Sequence, residues 1–100
     1  MSADSTLVTP DILATVQGIV SQVLMVPSAK VQPETRLYDL GAESIDYLDL
    51  IFRIEEALGR KVPVSRWAEF VSDRLPGANL ADTITVAIVA EFAERERARP

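Results

Sequence analysis

The sequence contains no cysteine and no histidine. Without cysteine there is no disulfide framework, no thiolate nucleophile and no cysteine metal site. Without histidine the commonest general base and the usual zinc ligands are missing, and a Ser-His-Asp triad cannot be built. Any chemistry at a serine of this chain must be supplied by another protein, so an enzyme is not expected. No basic cluster occurs, and the formal charge of −5 argues against nucleic acid and anionic membrane as partners and for basic proteins. The opening Met1-Ser2-Ala3-Asp4-Ser5 lacks the basic and apolar regions of a secretory signal. No apolar run is long enough to span a bilayer, so a cytoplasmic location without membrane insertion is expected. Internal repeats, low-complexity tracts and clear strand signals are also absent.

What is present fits one domain over residues 1–100, because 100 residues suffice for one core and are too few for two. Residues 1–8 read as a flexible lead-in. Thr9 as N-cap, Pro10 at the first helical position and Asp11 in the first turn mark a helix start. Ile12, Leu13, Val16, Ile19, Val20, Val23 and Leu24 then keep the helical repeat, with Gln17, Gly18, Ser21 and Gln22 outward. Pro27 ends this helix. A long connection follows to Glu43, tied down by Val31, Leu37, Tyr38 and Leu40, with a short helical turn expected over Glu34 to Asp39 after Pro33.

Helix two is expected from Ser44 to about Leu58, closed by Gly59, Arg60, Lys61 and Pro63. Ser65 can cap helix three, in which Trp67, Phe70, Val71 and Leu75 share one side. Pro76-Gly77-Ala78-Asn79 is a turn cluster, and Thr83 or Thr85 can cap a last helix carrying Ile84, Ile88, Val89 and Phe92. The alternating Glu and Arg from Glu91 to Arg99 read as a solvated helix end, with residues 94–100 a charged tail. The fold class is all-α, a four-helix bundle with a long loop between helices one and two.

The stretch Leu40-Gly41-Ala42-Glu43-Ser44-Ile45 stands out. Gly41 permits a tight turn and Ser44 suits the N-cap, which puts a hydroxyl at an exposed helix start. Helix two has two apolar stripes. Tyr47, Leu50, Ile51, Ile54 and Leu58 form the core face. Ile45, Leu48 and Phe52 form a second stripe on the side nearer Ser44, flanked by Asp49, Glu55 and Glu56, with Asp46 adding negative charge and Arg53 the one basic residue among them. A helix buried on both sides would explain that stripe. So would a docking surface for basic partners, the reading adopted in a chain with few helices to cover it.

The block Leu40 to Ile45, continued by Asp46, Asp49, Leu50, Glu55, Leu58, Gly59, Val62 and Pro63, resembles the acyl carrier proteins. Helix one and the loop run Pro-Glu-Thr-Arg-Leu-Tyr-Asp-Leu-Gly are also similar to that family. The resemblance implies an acyl-carrier type bundle in which Ser44 accepts 4'-phosphopantetheine from coenzyme A, and the thiol of that arm carries acyl groups as thioesters. It implies docking through Glu43, Ile45, Asp46, Leu48, Asp49, Phe52, Glu55 and Glu56. The implied partners are a phosphopantetheinyl transferase and acyl-loading, acyl-transferring or condensing enzymes with basic patches, of the freestanding fatty acid or polyketide type, served by a monomeric carrier.

The sequence departs from the family pattern at three places. Glu43 and Ile45 replace the usual Asp and Leu, Arg53 sits among the carboxylates, and Val64 to Asp82 is longer than the usual third helix. The longer segment either reshapes the acyl cavity through Trp67 or simply adds core. The alternative function is an unmodified carrier-like module that serves only in protein interaction.

Overall fold

The computed structural model describes residues 8–75, 77 and 83–100. Among them are four α-helices: α1 (Pro10–Leu24), α2 (Ser44–Leu58), α3 (Val64–Arg74) and α4 (Val86–Arg97). Helix α1 packs along both α2 and α4, and α3 packs on α2, which makes an all-α bundle.

The start of α1 follows from its first residues. Thr9 is extended and its hydroxyl accepts from the Ile12 N–H at 3.3 Å, with Pro10 at the first helical position. The helix ends at Leu24, where Met25 adopts a left-handed conformation, two residues before Pro27. Ile12, Val16, Ile19 and Val20 are buried, and Leu13, Val23 and Leu24 pack around them. Gln17 and Ser21 are not on an open outer face. Gln17 Nε2 donates to the Val31 carbonyl at 2.8 Å and the Ser21 hydroxyl to the Val26 carbonyl at 2.6 Å, so both serve the loop that doubles back over them.

The long connection carries short 3-10 turns at Ser28–Lys30 and Leu37–Leu40. The expected turn over Glu34 to Asp39 therefore lies slightly later, because Arg36 is extended and pairs with Thr85 in an isolated antiparallel bridge. Val31 and Leu37 are fully buried anchors and Leu40 is half-buried. Tyr38 is exposed, contrary to its expected anchoring role, because Leu37 takes the inward position of that turn.

The same loop completes the start of α4. The N–H groups of Val86 and Ala87 donate to the carbonyls of Thr35 and Pro33 at 2.9 and 2.8 Å, and the Thr85 hydroxyl accepts from Ile88 N–H at 3.2 Å. The open donors of that first turn thus find partners, and Thr85, not Thr83, is the cap. Helix α3 begins at Val64 with extended Pro63 as its N-cap; Ser65 sits inside the helix and does not cap it.

The end of α4 is not a solvated tail. It stays helical to Arg97 and buries Glu94 and Glu96. Glu96 is paired with Arg66 and Arg99, each at 3.0 Å, which accounts for a carboxylate in the interior. Glu94 accepts from the backbone N–H and the hydroxyl of Thr9, both at 3.1 Å, and pairs with Arg97. Periodicity cannot tell such a helix from an exposed one, since the arginines that neutralise the acids lie partly on other turns and elements. Residues 1–7 of the lead-in lie outside the described residues, as does the turn cluster apart from Gly77, whose φ is +75°.

Candidate functional site

Helix α2 is set in place from both ends. At its start, Gly41 takes φ +87° to leave the 3-10 turn, a conformation glycine adopts without a side-chain penalty. At its end, Gly59 takes φ +69°. Between the first turn and the helix, Glu43 is extended and occupies the N-cap position. Its N–H donates to Asp46 Oδ2 at 2.8 Å, and the Asp46 N–H donates to the Glu43 carbonyl at 2.9 Å.

This corrects the expectation that Ser44 is the cap. The acid three residues beyond the cap is the one that can close back on its N–H, and that acid is Asp46, which fixes the cap at Glu43. Ser44 becomes the first residue of the helix. Its side chain is exposed and, among the described residues, hydrogen-bonds to no other group. A capping serine would have its oxygen engaged by the backbone; this one is open to a partner.

Ser44 lies on the rim of a cleft of about 380 Å³ lined by Ala42, Glu43, Ser44, Tyr47, Leu48, Trp67 and Ile84. The size is in the ~300–1,000 Å³ range of sites that hold small ligands. One wall is aromatic. Tyr47 stacks on Trp67 with centroids 6.0 Å apart and planes at 20°, and Trp67 meets Phe92 edge-on at 5.1 Å. Behind this wall, the seam between Tyr47, Leu50, Ile51, Ile54, Trp67 and Val89 has no space for a water molecule. Burial, aided by the Asp46 charge, pushes the Tyr47 phenol above its ordinary value. Tyr47 reads from the sequence as a core residue, and Trp67 either as core or as a residue that reshapes a cavity; both form the wall of this cleft, whose position depends on how α3 is laid against α2.

The second apolar stripe is open. Ile45 is 69 % exposed, Leu48 51 % and Phe52 57 %, whereas Leu50, Ile51 and Ile54 are buried. The carboxylates separate into different environments. Glu43 and Glu56 are exposed; Asp46 is half-buried and occupied by the cap. Asp49 pairs with Arg53 at 3.4 Å, and Arg53 also reaches Gln22 Oε1 of α1 at 3.3 Å. Glu55 is turned inward, where Oε1 accepts the Val62 N–H at 3.0 Å and Oε2 lies 3.9 Å from Lys61. Its main contact is therefore with the link between α2 and α3, and only a quarter or so of it faces outward, at 23 % exposure. Among the described residues no group of acids is arranged to hold a metal ion, and no helix is long and apolar enough to cross a membrane.

The family model described as the phosphopantetheine attachment site matches residues 14–72, from within α1 to within α3. The chain belongs to that family. The cofactor of the family is phosphopantetheine, and an exposed serine at a helix start beside a largely apolar cleft is a fitting place to hold it. The chain is similar to the acyl carrier protein AcpXL of Rhizobium etli, with 32 % identity over 59 residues, covering 58 % of this chain and 64 % of that protein. It is similar to AcpXL of Mesorhizobium japonicum, at 41 % over 44 residues, covering 43 % of this chain and 47 % of the relative. An acyl carrier protein of Helicobacter pylori is 39 % identical over 49 residues, covering 48 % of this chain and 63 % of the relative. The chain thus spans less than two thirds of the length of these relatives.

Proposed function

We infer that the protein is an acyl carrier and that Ser44 is the residue that takes 4'-phosphopantetheine from coenzyme A. The observation that carries this reading is the Ser44 hydroxyl, exposed at the first turn of α2 and left free by a cap that uses Glu43 and Asp46 instead. In the attachment step the Ser44 oxygen forms a bond to the phosphorus of the arm, the nucleotide half of coenzyme A leaves, and the serine proton passes to a base. In this reading that base belongs to a phosphopantetheinyl transferase. When bound, the arm supplies the thiol that a chain without cysteine lacks.

The chain's own residues position the group and its partners. The helix start favours the negative phosphodiester, because its backbone donors and dipole point toward it. The aromatic wall of Tyr47 and Trp67 gives an apolar surface beside Ser44 on which an arm or its cargo can lie. Ile45, Leu48 and Phe52 offer apolar anchors to enzymes of acyl metabolism, with Glu43 and Asp46 steering basic surfaces toward the serine. The carrier works in the cytoplasm as a monomer, and fatty acid or polyketide type enzymes load and unload it. The test is thioester loading after treatment with coenzyme A and a transferase. Ser44→Ala loses loading while keeping its helix content; loading that persists in the variant contradicts the assignment.

A further inference from the structure

The cleft beside Ser44 and the seam behind it meet at two side chains, Tyr47 and Trp67, which line both. On the outer side lie about 380 Å³ of open space; on the inner side, among Leu50, Ile51, Ile54 and Val89, there is no room for a water molecule. The stacked pair is therefore the partition between cleft and core. Trp67 has little freedom to swing aside. Its ring stacks on Tyr47 and on Phe70, each with centroids 6.0 Å apart, and meets Phe92 edge-on at 5.1 Å. Phe70 and Phe92 are themselves buried with centroids 5.4 Å apart, and Arg95 sits over the Phe70 ring, 5.2 Å from its centroid. Ile84, on another side of the cleft, is pinned as well: its carbonyl accepts the Leu37 N–H at 3.0 Å, and the next residue, Thr85, pairs with Arg36.

We propose that Trp67 sets an upper limit on the cargo: the carrier takes a compact acyl group, of no more than medium length, that lies in the open cleft, and it does not draw a long chain into the bundle. This rests on the acyl-carrier reading. A chain that passed the partition would break the contacts of Trp67 and push aside side chains that already fill the seam at the density of a protein interior. The apolar surface it buried would then be offset by the apolar contacts it displaced. In the cleft, by contrast, a compact group covers the exposed side of Leu48 and the Tyr47–Trp67 wall and displaces nothing. Methylenes beyond the cleft stay in water and add no stability.

The chain has no cysteine and a single tryptophan, Trp67, so Ser44→Cys can be labelled at one place with alkyl methanethiosulfonates and followed at one indole ring. Methyl, butyl, octyl and dodecyl adducts are compared by urea unfolding and by Trp67 emission. With Trp67 in place, the urea midpoint is expected to rise, and the emission to move to shorter wavelength, from methyl to octyl, with dodecyl giving no more than octyl. When Trp67→Val is added, and each adduct is compared with its own methyl form by circular dichroism, the midpoint is expected to rise again from octyl to dodecyl; Trp67→Leu takes its place if the valine variant does not fold. A midpoint that keeps rising to dodecyl with Trp67 in place, one that does not rise at all, or a Trp67 variant with the same ceiling overturns the proposal. No transferase takes part, so failure of the acyl-carrier reading shows separately, as absence of a mass gain when the parent chain is treated with coenzyme A and a transferase.

Discussion

Two carboxylates of the chain carry different duties. Asp46 closes the cap of α2 and so frees Ser44, while Glu94 closes the start of α1 from a distance through Thr9. Burial works to raise the Glu94 carboxyl, but hydrogen bonds from Thr9 and Arg97 and the Arg97 charge outweigh it, and the group lies below its ordinary value of 4.5. A carboxyl depressed in the folded state contributes stability that is present above 4.5 and is lost as pH falls through the lower folded value. Urea unfolding followed from neutral to acid pH should show that loss, and Glu94→Gln should flatten that part of the profile and lower stability at neutral pH. A profile identical to the parent's would contradict the linkage. Neither Glu94 nor Glu96 was legible as buried. A Glu in an Arg-rich helix end has the sequence pattern of a solvated face, and only the packing of Thr9, Arg66 and Arg99 around these acids removes them from water.

Among the elements, the start of α2 depends on a single backbone conformation. Gly41 has φ +87° and no atom within 4 Å of where a Cβ would stand, so Gly41→Ala meets no clash and its cost is that of the left-handed backbone alone. That cost is about 1–2 kcal/mol, to be read as a lower urea midpoint with an unchanged slope. The loop, helix start and open stripe could be read from Gly41, Ser44 and the spacing of Ile45, Leu48 and Phe52. The cap could not, because serine and glutamate compete for that position and the bond from Glu43 to Asp46 decides it. Helix α3 supplies the part of the site that spacing could not show. Trp67→Ala should cost about 3 kcal/mol by loss of contacts with Tyr47, Phe70 and Phe92. In the acylated carrier it should also speed cleavage of the thioester by hydroxylamine, with Trp67→Phe closer to the parent. An unchanged cleavage rate would reduce Trp67 to a core residue.

At the scale of the whole molecule, the bundle holds one helix so that its first turn and one apolar strip stay uncovered. Helices α1 and α4 with the inner face of α2 supply most of the core, the long loop seals the start of α4, and α3 makes the wall beside Ser44. The family match ends within α3, so α4 and its buried acids lie beyond it. All of this serves the claim that Ser44 is where another protein adds the chemistry this chain lacks. The measurement that tests it most directly is the intact mass of the protein before and after incubation with coenzyme A and a broad-specificity phosphopantetheinyl transferase, with Ser44→Ala shown to be folded by circular dichroism alongside. The account predicts a gain of one phosphopantetheine on the parent and none on the variant. A folded parent that gains nothing, or a variant that gains as much as the parent, would contradict it.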